Sequence, residues 1–250
     1  MTIMTSNTSS SLRSLREIHN ICGCYVIFLL MLGVVACSSS SPAQADEPEW
    51  PAGETKPQHT LPSALPGQPV GFACLTAVPT GGAGGESVVV TTAAELASAL
   101  KRTEPLVIYL QGEITFTDIL SVKATDKTLL GLSGSRLLSQ QRDAATSGIL
   151  QFKEGSTNLI LRNLTFESAG AYDCDGRDNL CIDGTTRIWV DHCDFQDGVD
   201  GNFDCKNASD LITISYCRFR YLKAPLAGGP ESDDHRFCNL WGSSDSNTQD

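Results

Sequence analysis

Positive charge is scarce in this 250-residue chain: 18 lysines and arginines stand against 29 acidic residues, and the formal net charge is −11 at pH 7. Such an excess of negative charge disfavours binding to nucleic acid or to an anionic membrane surface. The chain also lacks the strand–GxGxxG–helix pattern of a dinucleotide site, so the glycine-rich segment 81–85 is interpreted as a flexible turn. No Cys/His spacing typical of zinc is present. Nucleic acid, nucleotides and zinc are therefore not expected partners.

Long hydrophobic runs are absent as well. The run from about Tyr25 to Ala36 is too short for a comfortable membrane span and resembles the apolar core of a secretory signal. It ends in Val34-Val35-Ala36-Cys37, which resembles a bacterial lipoprotein signal whose cysteine is lipidated after cleavage. An ordinary secretory signal cut near Ala43 or Ala45 is the alternative.

These features predict three segments. Residues 1–37 form a lipoprotein-type signal, residues 38–70 form a Pro- and Ser-rich tether, and residues 71–250 form the folded domain. The protein is expected to be exported and held at the bacterial outer membrane or cell surface, or otherwise to be secreted. Its only expected contact with a membrane is through a lipid on Cys37, and it is expected to be a monomer.

Helical patterns are nearly missing. One helix is predicted over residues 92–102, where Thr92 and Glu95 form a capping box. From Leu106 onward the chain consists of short β-runs separated by turns, with no helices between them. This alternation disfavours a doubly wound sheet or a TIM barrel.

Three segments of equal length share one pattern, with apolar residues at places two, four, seven and nine. They end at Phe166, Phe195 and Phe219, so similar lengths of chain separate successive copies. A repeat of this length is typical of a solenoid, in which one coil cannot bury its own apolar face. In the second copy Ile188 and Val190 alternate with other residues, but the next apolar pair, Cys193 and Phe195, is shifted by one place. The chain is therefore expected to bend after His192.

The repeat therefore predicts an all-β chain that folds as a right-handed parallel β-helix, with one short N-terminal helix. Two inward-facing ladders are expected along one sheet. They consist of Leu159, Ile188 and Ile212, and of Leu161, Val190 and Ile214.

Aspartate is concentrated in one part of the repeat. Nine aspartates fall in the segment from Asp173 to Asp204, with only Arg177 and Arg187 as counter-charge. Carboxylates at the turns of stacked coils suggest a site for a hard cation on a long open surface.

The ten cysteines fall into two groups. Cys22 and Cys24 would leave with the signal and Cys37 would carry lipid, so seven remain. Two pairs are separated by the same step as Phe195 and Phe219 and are expected to stack in neighbouring coils: 181 with 205, and 193 with 217. Either inward-facing core thiols or disulfides are compatible with an exported protein.

Several motifs together resemble the bacterial pectate lyases, over about residues 71–250. Lys127–Leu132 is similar to that family's "kTiiGl" segment, and Asn158–Phe166 is similar to "nviiRNltf". Ile188–His192 resembles the "vWiDH" signature, and Asp200–Ser215 resembles "DGxxDikxgSdyiTiS". The resemblance implies a parallel β-helix that cleaves polygalacturonate (pectate) by β-elimination with Ca²⁺ as cofactor.

The resemblance also implies site residues. The family's calcium ligands match Asp178, Asp200 and Asp204. The fourth would be Asp175 or Asp173, because Gly176 occupies the place of the second acid in the family's DxD spacing.

Further roles concern Lys223, Asp191 and His192. Lys223 matches a lysine that holds a substrate carboxylate. Asp191 and His192 are adjacent on a strand and are expected to point to opposite faces, so they are not expected to act as a pair. His192 is expected in an internal polar stack beside Asn163 and Tyr216.

The family's catalytic base is an arginine in an "RxPxxR"-type segment, which would fall beyond residue 250. No catalytic residue is therefore assigned, and Arg218, Arg220 and Arg236 do not match the motif. The expectation is a Ca²⁺-dependent pectate lyase truncated before this arginine. A catalytically silent, lipid-anchored pectin-binding protein is the alternative, and a lyase acting on methylated pectin is a lesser one.

Overall fold

The computed structural model describes residues 67–170, 176–224 and 235–242. The predicted signal and residues 38–66 of the predicted tether lie outside the described residues, as do Asp173, Cys174 and Asp175.

The elements are mostly short strands. One 3-10 turn covers Phe72–Cys74, and the helix α1 covers Ala93–Lys101. The strands are β1 Glu86–Val90, β2 Leu106–Leu110, β3 Glu113–Phe116, β4 Leu120–Val122, β5 Thr125–Gly131, β6 Arg136–Ser139, β7 Leu150–Phe152, β8 Thr157–Arg162, β9 Thr165–Glu167, β10 Leu180–Asp183, β11 Thr186–Asp191, β12 Asp194–Gln196, β13 Phe203–Lys206, β14 Asp210–Ser215, β15 Arg218–Arg220 and β16 Leu240–Trp241.

The strands form three parallel sheets. Sheet A has the order β1-β2-β5-β8-β11-β14, sheet B has the order β3-β6-β9-β12-β15, and sheet C has the order β4-β7-β10-β13-β16. Each full coil contributes one strand to sheet C, then one to sheet A and one to sheet B, as β7, β8 and β9 do. The right-handed parallel β-helix predicted from the repeat is thereby confirmed.

Both predicted ladders are confirmed in sheet A. Ile188 is in register with Leu159 and Ile212, and Val190 is in register with Leu161 and Ile214. Burying one aliphatic side chain of this size contributes about 1.5–3 kcal/mol, so repeated stacking supplies the main stabilisation of the coils.

The first ladder also contains a lysine that the apolar pattern did not predict as buried. Lys127 is in register with Leu159 and is fully buried. Its ammonium donates hydrogen bonds to the backbone oxygens of Glu104, at 2.8 Å, and Thr125, at 2.6 Å. Burial lowers the pKa of this lysine. The backbone oxygens replace the water that the buried ammonium loses.

The corner between sheets A and B is built by residues with left-handed backbone. Asn163, His192 and Tyr216 have φ angles of 53°, 51° and 51° and occupy equivalent places in successive coils. The bend predicted near His192 is therefore confirmed. Beyond the corner, the rings of Phe166, Phe195 and Phe219 stack with centroids 4.8 and 5.0 Å apart.

The helix α1 packs against the first strands and covers the apolar end of the first coil. Thr92 and Glu95 form the predicted capping box, and Leu96 and Leu100 are fully buried. Within the described part of the chain, no helix combines the length and the hydrophobicity that a membrane span requires.

Candidate active site

Three of the predicted ligands converge where the chain enters sheet C. Asp178 precedes β10, and Asp200 and Asp204 belong to the next coil. A backbone hydrogen bond from Asn179 N–H to Gly201 O, at 3.1 Å, joins the two coils at this point. Asp178 is 4% exposed and Asp204 is 9% exposed. Neighbouring coils thus bring carboxylates that are distant in sequence to one corner.

The carboxylates affect each other's protonation. Burial raises the pKa of Asp178 well above its usual range, and the charges of Asp204 and Asp200 raise it further. Burial also raises the pKa of Asp204, although the nearby Lys206 opposes this rise. The interaction between the two side chains raises the pKa of Asp178 and lowers that of Asp204. Burial and neighbouring negative charge thus both oppose the ionisation of Asp178 and Asp204.

Two basic side chains contact the cluster. Lys206 Nζ lies 3.6 Å from Asp204 Oδ2, and His235 Nδ1 lies 3.1 Å from Asp200 Oδ1. Burial disfavours the charged form of Lys206, but Cys181, Asp204 and the other acids around it raise its pKa overall.

The donor chemistry of this cluster fits calcium. Ca²⁺ binds six to eight oxygens and accepts flexible geometry, which carboxylates on separate coils can supply. Among the described residues, no set of three or more His, Cys, Asp or Glu side chains already has the arrangement of a metal site. Asp175 and Asp173 lie outside the described residues, so the fourth ligand stays a prediction.

Lys223 lies on the sheet B side of this corner. Its ammonium is 3.1 Å from Glu167 Oε1 and donates to Ser168 O at 2.7 Å, and it is 3.9 Å from Asp197 Oδ2. In this arrangement the charge of Lys223 is paired with Glu167. Its role in holding a substrate carboxylate stays a prediction.

Arg236 belongs to the corner but carried no sequence signal. Its guanidinium lies 4.4 Å from the centroid of the Tyr221 ring and donates to Lys223 O at 2.7 Å, while its buried Nε has no hydrogen-bond partner. Burial raises the pKa of Tyr221; Arg236 opposes the rise, and Asp178 and Asp200 add to it. Arg236 therefore lies over the Tyr221 ring, and the charges of two of the aspartates act on the same phenol.

The chain also matches known proteins in sequence. The pectate lyase family model matches residues 58–247. The chain belongs to the pectate lyase family. Pectate lyase plyB of Emericella nidulans is 31% identical over 194 residues, covering 74% of this chain and 56% of that protein. The pectate trisaccharide-lyase of Thermotoga maritima is 34% identical over 189 residues, covering 69% of this chain and 48% of that enzyme. The chain thus spans about half the length of these relatives.

Solved pectate lyases align with part of the chain. A pectate lyase from Bacillus sp. N165, solved with trigalacturonate, has a TM-score of 0.48 and 19% identity, covering 71% of this chain and 56% of that one. The Bacillus subtilis enzyme has a TM-score of 0.44 and 18% identity, covering 70% of this chain and 61% of that one.

The expectation that Asp191 and His192 point apart is wrong. His192 Nδ1 lies 2.7 Å from Asp191 Oδ2, because the left-handed backbone at His192 cancels the usual alternation of a strand. Asp191 is buried and also accepts hydrogen bonds from Arg162 Nε at 3.0 Å and from Ser215 Oγ at 2.6 Å.

The stack at this corner is not internal. The rings of His192 and Tyr216 have centroids 5.0 Å apart, and Tyr216 is 79% exposed. Tyr216 therefore lies on the outside of the coils. This corner joins sheets A and B, whereas the aspartates lie where the chain passes from sheet B to sheet C.

One of the two predicted cysteine pairs does stack. Cys193 N donates to Cys217 Sγ at 3.4 Å, and both side chains pack into the core. The other prediction is wrong, since Cys181 is in register with Asp204 and Cys205 is in register with Ile182. The step from β10 to β13 is one residue shorter than the step from Cys193 to Cys217. Cys205 is therefore one place out of register with Cys181, and the two side chains point to opposite faces of sheet C.

All six described cysteines are thiols, so the core alternative is confirmed for Cys193, Cys205 and Cys217. Cys181 lies instead on the outer face of sheet C, beside Asp204. Burial raises the pKa of this thiol to about 12.

Proposed function

We propose that this chain is part of a Ca²⁺-dependent pectate lyase that cleaves polygalacturonate by β-elimination. The observation that carries the proposal is the convergence of Asp178, Asp200 and Asp204; burial, together with the charge of neighbouring aspartates, raises the pKa of Asp178 and of Asp204. The names of the curated relatives, which are pectate lyases and pectate trisaccharide-lyases, support the substrate class.

In this proposal the three aspartates, with Asp175 or Asp173 as a fourth, hold the cation. When bound, Ca²⁺ would neutralise the substrate carboxylate and acidify the proton at C5 of the uronate. Elimination removes that proton and breaks the bond to O4, leaving an unsaturated sugar.

The chain's own basic residues would position the uronate. Arg236 Nε has no partner in the described structure but is buried, so it would first have to become accessible before the planar guanidinium could bind a carboxylate. Lys223 would first have to leave Glu167, whereas Lys206 already borders the cluster. These three residues are the proposed carboxylate contacts.

The proton-abstracting base stays unassigned among the described residues. Arg218 and Arg220 both form ion pairs with Asp194, and Arg236 is bonded to Lys223 O. This observation supports a second candidate function, namely Ca²⁺-assisted binding of pectate without turnover. In either case we propose an exported protein with a lipid on Cys37, and radiolabelled palmitate incorporation that is lost in Cys37→Ser would test the anchor.

Two measurements on one preparation separate the candidates. Ultraviolet absorbance of the unsaturated product, with Ca²⁺ and with chelator, tests cleavage of polygalacturonate. Calorimetric titration with Ca²⁺ tests the site, and both Asp200→Ala and Asp204→Ala are expected to abolish binding while the fold is retained. Asp118→Ala, an acid-to-alanine change in an exposed turn, is the matched control. Wild-type Ca²⁺ affinity in Asp200→Ala or Asp204→Ala would contradict the proposed ligands.

A further inference from the structure

The outer face of sheet A is covered by the segment that precedes β1. Four outward-facing residues, Thr128, Ile160, Trp189 and Thr213, are in register with one another along this sheet. Residues 70–82, called the N-terminal strap below, cross this row from Thr213 to Thr128. Ile160 and Trp189 are buried beneath the strap. The strap, and not the strands, therefore forms the surface on this side of the coils.

Hydrogen bonds hold the strap near both of its ends. Ala73 N donates to Thr213 Oγ1 at 2.8 Å, and Gly82 N donates to Thr128 Oγ1 at 3.0 Å. A Cβ on Gly82 would lie only 2.0 Å from the backbone oxygen of Leu106, so the strap backbone lies directly against sheet A. The side chains that point away from the sheet thus have a fixed place on the surface.

These outward side chains are apolar. Phe72 and Leu75 lie three residues apart across the 3-10 turn, where Leu75 N donates to Phe72 O at 3.0 Å, and side chains with this spacing point the same way. Val70 and Val78 are exposed as well. Four of the nine large apolar side chains that are exposed in the described part of the chain therefore lie on the strap. Such a concentration marks an interaction surface.

The strap also lacks charge. Residues 57–85 contain no Asp, Glu, Lys or Arg, although 19% of the chain is charged. A charged partner would find no complementary group on this surface. An apolar, uncharged surface that presents an aromatic ring suits the headgroup region of a neutral bilayer. The net charge of −11 disfavours an anionic one.

The place of the strap in the chain favours a bilayer over a second copy of the protein. The strap begins where the predicted tether ends, and Val70 follows the proposed lipid carrier Cys37 by 70 − 37 = 33 residues. A chain of this length reaches at most about 120 Å. A lipid on Cys37 would keep the strap within that distance of the bilayer, at an effective concentration on the order of millimolar. Even a weak contact between strap and bilayer would then form.

We propose that the N-terminal strap rests on the surface of a neutral lipid bilayer, with Phe72 and Leu75 inserted among the headgroups. This inference rests on the export that is part of the proposed function, and it adds a second membrane contact to the lipid on Cys37. The aspartate cluster lies between sheets B and C, at the one corner of the coil that sheet A does not form. Docking through the strap would therefore leave the cluster accessible to a polymer in solution.

The test measures sedimentation with phosphatidylcholine vesicles for residues 38–250, which carry no lipid and keep every described residue. Phe72→Ser/Leu75→Ser is expected to weaken vesicle binding roughly tenfold or more, because two apolar side chains no longer leave water. Leu222→Ser/Phe237→Ser is the matched control and should bind like the parent chain. The exposed fractions are 69% for Leu75 and 61% for Leu222, and 45% for Phe72 and 46% for Phe237.

Two further variants guard against a loss of folding. Phe72→Leu/Leu75→Phe keeps the apolar area and should retain binding, and Leu75→Ser alone repeats the comparison at the more exposed position. Thermal unfolding checks that each variant is folded.

Three results would overturn the proposal. They are no vesicle binding by the parent chain, an equal loss in both double Ser variants, and a dimer in solution that Phe72→Ser/Leu75→Ser dissociates, which would assign the strap to a second copy. Vesicle binding requires neither Ca²⁺ nor turnover. A failed Ca²⁺ titration or cleavage assay would therefore count against the proposed function and leave the role of the strap standing.

Discussion

Asp178 lies directly against Gly201 of the neighbouring coil: a Cβ placed on Gly201 would lie 2.5 Å from Asp178 Oδ1. The backbone of Gly201 is not left-handed, so the position requires glycine for space and not for conformation. The missing side chain leaves Asp178 room to lie beside Asp204. One glycine thus shapes the proposed cation site without contributing a ligand.

Gly201→Ala is therefore expected to displace Asp178 and weaken Ca²⁺ binding by roughly tenfold, which corresponds to about 1.4 kcal/mol. Calorimetric Ca²⁺ titration of Gly201→Ala, Asp178→Asn and the double variant measures this effect. Because both changes act through Asp178, the double variant should bind no more weakly than Asp178→Asn alone. Additive losses would show that Gly201 acts by another route.

The raised pKa values of Asp178 and Asp204 predict a pH dependence of stability in chelator. In the folded chain these groups hold protons above their unfolded pKa of about 4, so stability should fall as pH rises through that window toward the raised folded values. Thermal unfolding from pH 4 to pH 8 measures the fall. Asp178→Asn should reduce it, and Ca²⁺ should stabilise wild type more at the higher pH. Identical pH profiles for wild type and Asp178→Asn would contradict this prediction.

Arg236 and Lys223 are predicted to differ in their importance for substrate binding. Arg236→Gln should weaken binding of galacturonate oligomers more than Lys223→Gln does, because Lys223 is paired with Glu167 and Arg236 Nε has no partner. Loss of the contact with Tyr221 should also cost about 0.5–1 kcal/mol of stability. Arg236→Lys keeps the charge and controls for it. The reverse order, with Lys223→Gln the more harmful change, would restore Lys223 as the main carboxylate contact.

Asp191 is predicted to be structural. Asp191→Ala removes the partner of the half-buried Arg162 and is expected to cost about 3–5 kcal/mol, while His192→Ala should cost less because His192 lies at the surface. Denaturant unfolding measures both changes. Folded Asp191→Ala protein should keep wild-type affinity for Ca²⁺ and polygalacturonate, and a loss of either would place Asp191 in the site.

Spacing within a repeat was the most reliable part of the sequence. Apolar residues must occupy equivalent places in each coil wherever coils stack, even where the step between coils varies, so the ladders through Ile188 and Val190 could be predicted directly. The same reasoning failed for Cys181 and Cys205, because the turn between β13 and β14 is one residue longer than the turn between β10 and β11, and this extra residue lies outside the step from β10 to β13. Spacing along the sequence therefore does not fix the register between two coils, because the register also depends on the number of residues in each turn.

Several site features could not be predicted for a related reason. The pairing of Asp191 with His192 depends on one left-handed residue, which reverses the side-chain direction that strand alternation implies. Arg236 follows a long segment without periodicity, and only the path of the chain brings it over Tyr221. The ligands Asp178, Asp200 and Asp204 were identifiable through a family resemblance, and their role stays a prediction.

The sequence by itself determined the coil architecture, because burying apolar faces demands a regular repeat, and it determined which stretch carries the excess of acid. Only the tertiary structure decided which charged groups meet. It placed Asp178 against Gly201 and paired Lys223 with Glu167. Such contacts form between coils, across turns of unequal length, where the separation of two residues along the chain does not set their distance in space.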